Sequence, residues 1–457
     1  MGGLTWVFAV LMLLGARGAG SNQTDVHLHA GELTVTSAST TSFQLSWYTA
    51  DPTRLFDLGR PVPVAADTVV RYGTSPDPTT WTTWRDPGPP TAYHHAEITG
   101  LTPGTTYWFE ASSNGVKAVN VSAALPRVTA PATVTTLRPP PGRHLVRMAV
   151  ANDLHVGETT AGLLVDGFPP GLSVDPADPY WGFMLDAVVD DANAQGAELM
   201  VVNGDVTAEA RPAEVAAAKA ALDRFTGDVV TARGNHDRPH RGAEWASCSP
   251  LPAAPDYHDC FADVFGPPGP GERHDVVRDF GPLRIVVLDS VAPLTGYGSV
   301  DAATLDTLAD ATDDGRASLV FFHHLSTFDA VRHWYAWPGF HIPPAELAAL
   351  DSILGARPDI RAVFSGHTHR SRRGAGPNPD ALYMEVGAVK EHIGGYALVD
   401  VYEGGIVLEF RQASCASCLV WSERTRRLYF GLYDKITEGS LADRSLVHTF
   451  TSPIAAP

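Results

Sequence analysis

The amino-acid sequence predicts an N-terminal all-β sandwich followed by an α/β domain, and three observations support this division. Residues 27–137 consist of short alternating strands separated by turns, residues 138–143 form a proline-rich linker, and beyond it apolar runs alternate with amphipathic segments. The chain of 457 residues has room for two or three domains of about 100–200 residues each. Its 44% apolar and 18% charged residues argue against both a disordered chain and a membrane bundle.

The chain is strongly acidic, with a formal net charge of -18, because 51 acidic residues exceed 33 basic ones. Extended nucleic-acid binding and docking to an anionic membrane both need clustered basic residues, so neither is expected. Beyond the N-terminus we find no stretch that is apolar and long enough to insert into a bilayer. The sequence leaves the oligomeric state open.

The N-terminus carries an apolar segment, Leu4–Ala16, which has no charged residue and is followed by small residues through Gly20. A membrane span needs about 20 residues, so this segment is too short to cross a bilayer and is typical of a signal peptide. We therefore expect residues 1–20 to be a signal peptide and the protein to be secreted or displayed at the cell surface. A short anchor or a misassigned start is the alternative.

The four cysteines form two local pairs, Cys248 with Cys260 and Cys415 with Cys418. In an exported protein, such pairs are predicted to form disulfide bonds that tie loops together. A redox-active CxxC needs a βαβ context and a zinc site needs a second CxxC, and the sequence offers neither.

Short strands predict a β-sandwich over residues 27–137. Ser42–Trp47 alternates polar and apolar residues, which is the period of a half-buried strand, and Thr68–Gly73 predicts another strand. In Leu101–Trp108, a Pro-Gly turn leads into a strand whose Tyr107 is placed to hydrogen-bond back to the corner. This segment resembles a fibronectin type III domain, and it shows no catalytic motif.

The α/β domain is predicted over residues 144–412. Tyr180–Ala194 and Pro212–Phe225 predict helices, the second with proline at its start. Ala381–Val389 and a hairpin over Tyr396–Arg411 add β structure, and residues 413–457 are predicted to form a disulfide-tied C-terminal extension over this domain. Six short apolar runs predict strands that are buried on both faces: Leu145–Ala151, Leu199–Val202, Val229–Ala232, Leu283–Leu288, Leu319–Phe322 and Ala362–Phe364.

Polar side chains follow five of these runs at the point where each strand is expected to end. The segments are Asn152-Asp153-Leu154-His155, Asn203-Gly204-Asp205, Gly234-Asn235-His236-Asp237, His323-His324 and Gly366-His367-Thr368-His369. Folds of the α/β class bind their ligands at the carboxyl ends of strands. Carboxylate, amide and imidazole groups without a thiolate suit Mn, Fe, Zn, Co or Ni, and one carboxylate can bridge two such ions. Two ions about 3.5–4 Å apart suit phosphoryl transfer, because they activate a shared hydroxide and clamp the reacting oxygens.

The series D-x-H, G-D, G-N-H-D, V-x-x-H and G-H-x-H resembles the calcineurin-like metallophosphoesterase superfamily, over residues from about 145 to 412. The resemblance implies a central β-sandwich flanked by helices on both sides. It also implies that two divalent metal ions are held by seven residues. Asp153, His155 and His369 would hold the first ion, Asn235, His323 and His367 the second, and Asp205 would bridge both.

The resemblance assigns a different role to His236, which would act as the general acid on the leaving oxygen. Asp237 and Arg238 would support the loop or pair with each other. His324 is an alternative to His323, but Val320-Phe321-Phe322-His323 fits the V-x-x-H pattern better. Asp289 follows another predicted strand, but no motif supports it as a ligand, so a structural role is expected.

The order of the two domains resembles that of the purple acid phosphatases, but two positions differ. His155 stands where that subfamily has glycine, and Ala208 stands where it has an iron-binding tyrosine, so the motifs are more similar to the phosphodiesterase branch. The expected function is an exported two-metal hydrolase that cleaves phosphomonoesters or small phosphodiesters through a metal-bridging hydroxide. The alternatives are a purple acid phosphatase-like monoesterase and an inactive surface-binding protein that retains a hydrolase scaffold.

Overall fold

The computed structural model describes residues 27–56, 60–120, 132–163, 167–238, 259–266, 273–292, 297–324 and 341–455. The predicted signal peptide and Cys248 lie outside these residues. Cys415 and Cys418 form the predicted disulfide bond. Cys260 is also disulfide-bonded, and its predicted pairing with Cys248 stays a prediction.

The N-terminal domain is a sandwich of two antiparallel sheets. The first sheet has the order β1-β2-β3 with β6 also pairing with β2, and the second has the order β5-β4-β7-β8 with β9 also pairing with β7. The strands are β1 (His29–Ala38), β2 (Phe43–Phe56), β3 (Arg60–Pro63), β4 (Val69–Gly73), β5 (Thr82–Arg85), β6 (Tyr93–Ile98), β7 (Thr106–Ser113), β8 (Val116–Lys117) and β9 (Ala132–Thr135).

The predicted tyrosine corner is present, since the backbone N–H of Thr102 donates to the Tyr107 hydroxyl oxygen at 3.0 Å. Strand β2 differs from the half-buried strand that its alternation predicts. Its apolar residues enter the core of the sandwich, but Gln44 and Ser46 on the opposite face are also buried. That face lies against the α/β domain, where Glu97 on the paired strand β6 accepts from Arg411 at 3.0 Å.

The α/β domain contains two six-stranded sheets packed face to face. Their orders are β14-β13-β10-β21-β22-β23 and β15-β16-β17-β18-β20-β19. The strands are β10 (His144–Ala151), β11 (Thr160–Ala161), β12 (Leu172–Ser173), β13 (Leu199–Asn203), β14 (Asp228–Ala232), β15 (Val276–Phe280), β16 (Leu283–Leu288), β17 (Ser318–Phe322), β18 (Ile360–Ser365), β19 (Arg372–Gly374), β20 (Leu382–Glu385), β21 (Gly395–Tyr402), β22 (Gly405–Gln412) and β23 (Ser445–Thr449). All six predicted apolar runs are therefore strands.

Nine α-helices lie among the described residues, and most of them cover the outer faces of the two sheets. They are α1 (Tyr180–Ala194), α2 (Pro212–Leu222), α3 (Cys260–Phe265), α4 (Ala302–Ala311), α5 (Pro344–Ala356), α6 (Ala416–Thr425), α7 (Leu428–Gly431), α8 (Tyr433–Thr437) and α9 (Leu441–Arg444). Helix α1 has the predicted bounds, and α2 ends at Leu222, three residues before the predicted end. In the described part of the chain, no helix is both long and apolar enough to span a bilayer.

Three apolar layers hold this arrangement together. The layer between the sheets contains buried residues of both, among them Met148, Val201, Phe321 and Phe364. A second layer joins α1, α2 and α6 to the first sheet, and a third joins α4 and α5 to the second sheet. Because apolar residues of the central strands face both layers, each strand is a continuous apolar run. The order helix, sheet, sheet, helix confirms the predicted fold class.

The C-terminal segment is part of the fold. Strand β23 pairs with β22 in antiparallel fashion and forms one edge of the first sheet. Helix α6 packs on the outer face of that sheet, where Trp421 stacks on Tyr180 of α1. The segment therefore adds a strand to the sheet as well as covering it.

Candidate metal centre

The candidate ligands come from the carboxyl ends of five strands that meet at one edge of the two sheets. Strands β14, β13 and β10 run parallel in the first sheet, and β17 and β18 run parallel in the second. Two hydrogen bonds join the sheets there. The amide of Asn152 donates to the carbonyl oxygen of Ser365 at 2.9 Å, and Nδ1 of His323 lies 3.0 Å from the carbonyl oxygen of Asn203.

The first ligand group consists of Asp153, His155 and His369. Each offers one atom that can bind a metal, and the three atoms lie within 4.8 Å of one another. Nε2 of His369 is 3.4 Å from Oδ1 of Asp153. Asp153 and His155 are buried, and the His369 side chain is 20% exposed, so the group opens toward solvent on one side.

The second ligand group consists of Asp205, His323 and His367, which also lie within 4.8 Å of one another. Nε2 of His323 is 3.2 Å from Oδ2 of Asp205 and 3.2 Å from Oδ1 of Asn235. The same Asp205 oxygen is 3.4 Å from Nε2 of His155 in the first group. Asp205 therefore lies between the two groups, as a bridging ligand must.

His236 borders both groups from the loop after β14. Its backbone N–H donates to Oδ1 of Asp205 at 2.9 Å, and its Nδ1 is 2.7 Å from the carbonyl oxygen of Ala208. A neutral ring that donates from Nδ1 keeps its proton off Nε2. His236 also forms a third close group with His155 and Asp205.

Asp237 and Arg238 each bind partners of their own. The Asp237 carboxylate accepts from the backbone N–H groups of Val206, Thr207 and Gly234 at 2.8–3.0 Å, so it ties two ligand loops together. Arg238 donates to Asp289 at 2.7 Å.

Asp289 and His324 belong to neither ligand group. Asp289 also lies 3.5 Å from the guanidinium of Arg233, which places it in a buried ion-pair cluster, as its expected structural role requires. Nδ1 of His324 is 3.1 Å from the hydroxyl of Ser290, and its ring centroid is 4.7 Å from that of His367. Among the described residues, His323 and not His324 joins the second group.

Two glycines are required by close approach between the ligand loops. Gly204 has φ +93°, and a Cβ atom there would lie 2.3 Å from Nδ1 of His323. A Cβ atom at Gly234 would lie 2.1 Å from the backbone nitrogen of Asp205. The glycines of G-D and G-N-H-D therefore allow one ligand to approach the next.

The electrostatics of the centre follow from burial and from the shared aspartate. Burial would raise the pKa of Asp205, but the neighbouring His323 and His236 hold it well below its ordinary value. Burial would lower the pKa of His323, yet Asp205 raises it to about 9. Burial, together with the charge of Lys390, holds the pKa of His155 well below its usual range. The centre thus favours an ionised aspartate and a neutral His155, the forms that bind metals.

The donor set fits two divalent ions. Oδ1 of Asp153 and Nε2 of His155 are buried and have no hydrogen-bond partner among the described residues. Leaving buried polar atoms unpaired costs about 1–3 kcal/mol each. Metal ions held by these atoms would remove that cost, and the mixed carboxylate and imidazole donors suit first-row divalent ions.

Sequence reasoning missed three charged residues behind the first group. We call Glu158, Lys390 and Glu391 the lysine arc, because the amine of Lys390 lies 2.7 Å from Glu158 and 3.1 Å from Glu391. The arc touches the rear of both histidines of the first group. A Lys-Glu pair directly after an apolar run was the only signal in the sequence, and it lies in no motif.

Comparison with known families agrees with this geometry. Residues 146–371 match the model of the calcineurin-like phosphoesterase family, and residues 29–127 match that of the purple acid phosphatase N-terminal domain. The chain therefore carries a calcineurin-like phosphoesterase domain behind a purple acid phosphatase N-terminal domain. It is a metal-dependent phosphoesterase, a hydrolase of ester bonds. The fibronectin type III resemblance of the first domain stays a prediction.

Several solved structures are similar to the chain at low identity. One is a dimetal phosphatase from Danio rerio, with 13% identity, 68% of this chain and 100% of that chain covered, and a TM-score of 0.45. Another is the purple acid phosphatase PPD1 from yellow lupin, with 13% identity, coverages of 84% and 72%, and a TM-score of 0.41. A third is PhoD, with 11% identity, coverages of 87% and 88%, and a TM-score of 0.39. The comparison with curated proteins found no match.

Proposed function

We propose that the protein is an exported two-metal hydrolase that cleaves phosphomonoesters or small phosphodiesters. One observation carries the proposal: Oδ2 of Asp205 lies between the two ligand groups, 3.4 Å from Nε2 of His155 in the first and 3.2 Å from Nε2 of His323 in the second. A binding scaffold has no need of seven converging ligand side chains. Export is proposed from the apolar N-terminal segment Leu4–Ala16 alone.

The residues of the centre divide the work of hydrolysis. Asp153, His155 and His369 would hold one ion, Asn235, His323 and His367 would hold the other, and Asp205 would be shared. When bound, two divalent ions supply positive charge to the phosphoryl oxygens and acidify water, which is the charge neutralisation that phosphoryl transfer needs.

His236 is the proposed proton donor. The carbonyl oxygen of Ala208 fixes its Nδ1, and the backbone N–H of His236 is anchored on Asp205, so the ring is oriented before substrate arrives. In its protonated form, His236 would release the proton of Nε2 to the leaving oxygen.

A purple acid phosphatase-like monoesterase is the second candidate, and the match of residues 29–127 favours it. Ala208 disfavours a ferric centre, because its methyl side chain cannot supply a phenolate and its carbonyl oxygen is engaged by His236. We propose that two divalent ions, drawn from Mn, Fe, Zn, Co and Ni, occupy the centre and that the protein lacks the purple colour of a ferric phenolate.

The test is hydrolysis of 4-nitrophenyl phosphate and bis(4-nitrophenyl) phosphate by the purified mature protein. The protein is first stripped with a chelator and then given Mn, Zn, Fe, Co or Ni. We expect metal-dependent turnover that falls at least about 100-fold in Asn235→Ala. The control is Asn193→Ala, since Asn193 accepts from the backbone N–H of Thr226 at 2.9 Å, far from any ligand loop.

The ratio of the hydrolysis rates of the two substrates distinguishes a phosphomonoesterase from a phosphodiesterase. Absence of turnover with every metal, together with absence of bound metal, would overturn the proposal and favour a surface-binding protein with a retained scaffold. The N-terminal sequence of protein recovered from the medium tests export, and we expect it to begin close to residue 21.

A further inference from the structure

The lysine arc (Glu158, Lys390 and Glu391) connects the rear nitrogens of the two histidines in the first ligand group. Oε1 of Glu158 lies 3.7 Å from Nδ1 of His155, and Oε1 of Glu391 lies 3.8 Å from Nδ1 of His369. The Nε2 atoms of both rings point the other way, 3.4 Å from Asp205 and from Asp153 respectively. Each histidine therefore has a carboxylate behind it and a metal-binding face in front.

The arc is largely buried, with only the Glu158 side chain 17% exposed, and it is held from several sides. The side chain of Lys390 is 3% exposed and that of Glu391 is 1% exposed. The hydroxyl of Tyr180 donates to Glu158, and the hydroxyl of Tyr433 hydrogen-bonds to Glu391 and lies 3.4 Å from Nδ1 of His369.

The backbone of the arc is also fixed. The indole N–H of Trp421 in α6 donates to the carbonyl oxygen of Lys390 at 2.6 Å. The backbone N–H of Val389 donates to the carbonyl oxygen of Asn152, next to the ligand Asp153, at 2.9 Å. The arc thus cannot shift without moving the first ligand loop.

Burying one amine and two carboxylates is expensive unless their geometry is good, so the arrangement calls for an explanation. Two carboxylates that share a buried space repel each other, and one of them would gain a proton. Lys390 lies between them and pairs with both, 2.7 Å from Glu158 and 3.1 Å from Glu391. A carboxylate behind a ligating histidine orients the ring and raises its basicity toward the metal.

The second ligand group is supported differently. Nδ1 of His323 meets the neutral backbone carbonyl of Asn203 at 3.0 Å. A neutral carbonyl orients the ring but brings no net charge. The two groups therefore differ behind His155, His369 and His323, in addition to the difference between the ligands Asp153, a carboxylate, and Asn235, a neutral amide.

We infer that the lysine arc positions His155 and His369 and makes the first ligand group the tighter of the two metal sites. Glu158, Lys390 and Glu391 are positioning residues, since they act through the histidines. The inference rests on the two-metal assignment proposed above and adds an order of affinity to it.

The test is a calorimetric titration of the metal-free protein with Mn²⁺ and with Zn²⁺. Metal analysis of the dialysed protein then counts the bound ions. Asn235→Ala weakens the second group, so a titration in that background reports on the first group. We expect Glu391→Gln to weaken binding to the first group about 10- to 100-fold and to leave the second binding constant of the otherwise wild-type protein unchanged.

The matched control is Glu409→Gln, the same substitution at a buried carboxylate of β22 that lies 3.5 Å from Arg411 and touches no ligand. We expect it to leave both binding constants unchanged. Glu158→Gln acts on the other histidine and decides the question if Glu391→Gln does not fold.

Three outcomes would overturn the inference. Glu391→Gln and Glu158→Gln could both bind metal at the first group as tightly as the wild type, or they could lose affinity equally at both groups. The third outcome is a wild-type protein whose second group binds metal more tightly than its first. If the protein binds two ions, the first group more tightly, but hydrolyses no ester, the proposed activity is wrong and the inference is still supported. If Glu391→Gln and Glu158→Gln have normal turnover and unchanged binding constants, the inference is wrong and the proposed activity is still supported.

Discussion

Replacing Gly204 by alanine tests whether close approach between ligand loops is what the G-D motif provides. A Cβ atom at this position would lie 2.3 Å from Nδ1, 2.6 Å from Cγ and 2.8 Å from Cβ of His323. Ordinary contact begins at about 3.4 Å, so the imidazole must move back by about 1.1 Å. His323 is fully buried and hydrogen-bonded to Asn203, so it has little room to move.

The expected loss has two parts. An alanine in left-handed backbone costs about 1–2 kcal/mol whatever surrounds it, because φ at Gly204 is +93°. Displacing His323 breaks its hydrogen bond to Asn203, and leaving that buried pair unmade costs about 1–3 kcal/mol more. We therefore expect Gly204→Ala to lower the free energy of unfolding by about 2–5 kcal/mol. A ligand displaced by about 1 Å is expected to lower turnover about 100-fold.

Gly281→Ala separates the two parts. Gly281 also has positive φ, at +56°, in the turn between β15 and β16, and a Cβ atom there would meet nothing within 4 Å. Gly281→Ala should lower the free energy of unfolding only by the backbone strain of about 1–2 kcal/mol, and it should leave turnover and bound metal unchanged. Chemical denaturation, metal analysis and hydrolysis of 4-nitrophenyl phosphate measure all three quantities. If Gly204→Ala matches Gly281→Ala in all of them, the close-approach argument is wrong.

Three further results are expected. Tyr107→Phe removes the acceptor of the Thr102 N–H and should destabilise the N-terminal domain by about 1 kcal/mol without changing turnover, as denaturation and hydrolysis assays will tell. Trp421→Phe removes the donor to the buried carbonyl of Lys390 and should cost about 1–3 kcal/mol in denaturation; a stability equal to wild type would contradict the contact. Stripping the metals should lower the melting temperature, since each ion present at 100 times its dissociation constant stabilises the fold by about 2.7 kcal/mol; calorimetry with and without chelator checks this, and identical melting would argue against bound ions.

The fold was predictable wherever the residues of a single segment show a pattern that depends on that segment alone. Each central strand is apolar on both faces because a helix layer covers one side and the other sheet covers the other side, so each appears as an unbroken apolar run. Strand β23 has no such run, and its place depends on pairing with β22, which ends more than thirty residues earlier. The burial of Gln44 and Ser46 likewise depends on which surface meets β2, and no local pattern records that.

The site was predictable for a related reason. Parallel strands end at the same edge of a sheet, so ligand-type residues after several such strands must come together. The lysine arc has no comparable rule. Glu158 and Lys390 are 232 positions apart, and only the packing of both segments behind the first ligand group brings them into contact. The C-terminal residue Tyr433, which lies beside His369, escapes sequence reasoning for the same reason.

Backbone conformation explains why the ligand motifs are as specific as they are. Of the ten non-glycine residues with positive φ in the described part of the chain, five are candidate ligands, with φ between 49° and 69°. They are Asp153, His155, Asp205, His367 and His369. Left-handed backbone is costly for most side chains, but aspartate, asparagine and histidine adopt it several-fold more often than other residues. The turns after β10, β13 and β18 therefore demand residues that tolerate left-handed backbone, and the metals demand residues that ligate. Asp and His satisfy both demands, whereas Glu would ligate from a backbone it rarely adopts and glycine would adopt the backbone without ligating. The two requirements together, rather than metal chemistry alone, restrict these positions to the short D-x-H, G-D and G-H-x-H patterns.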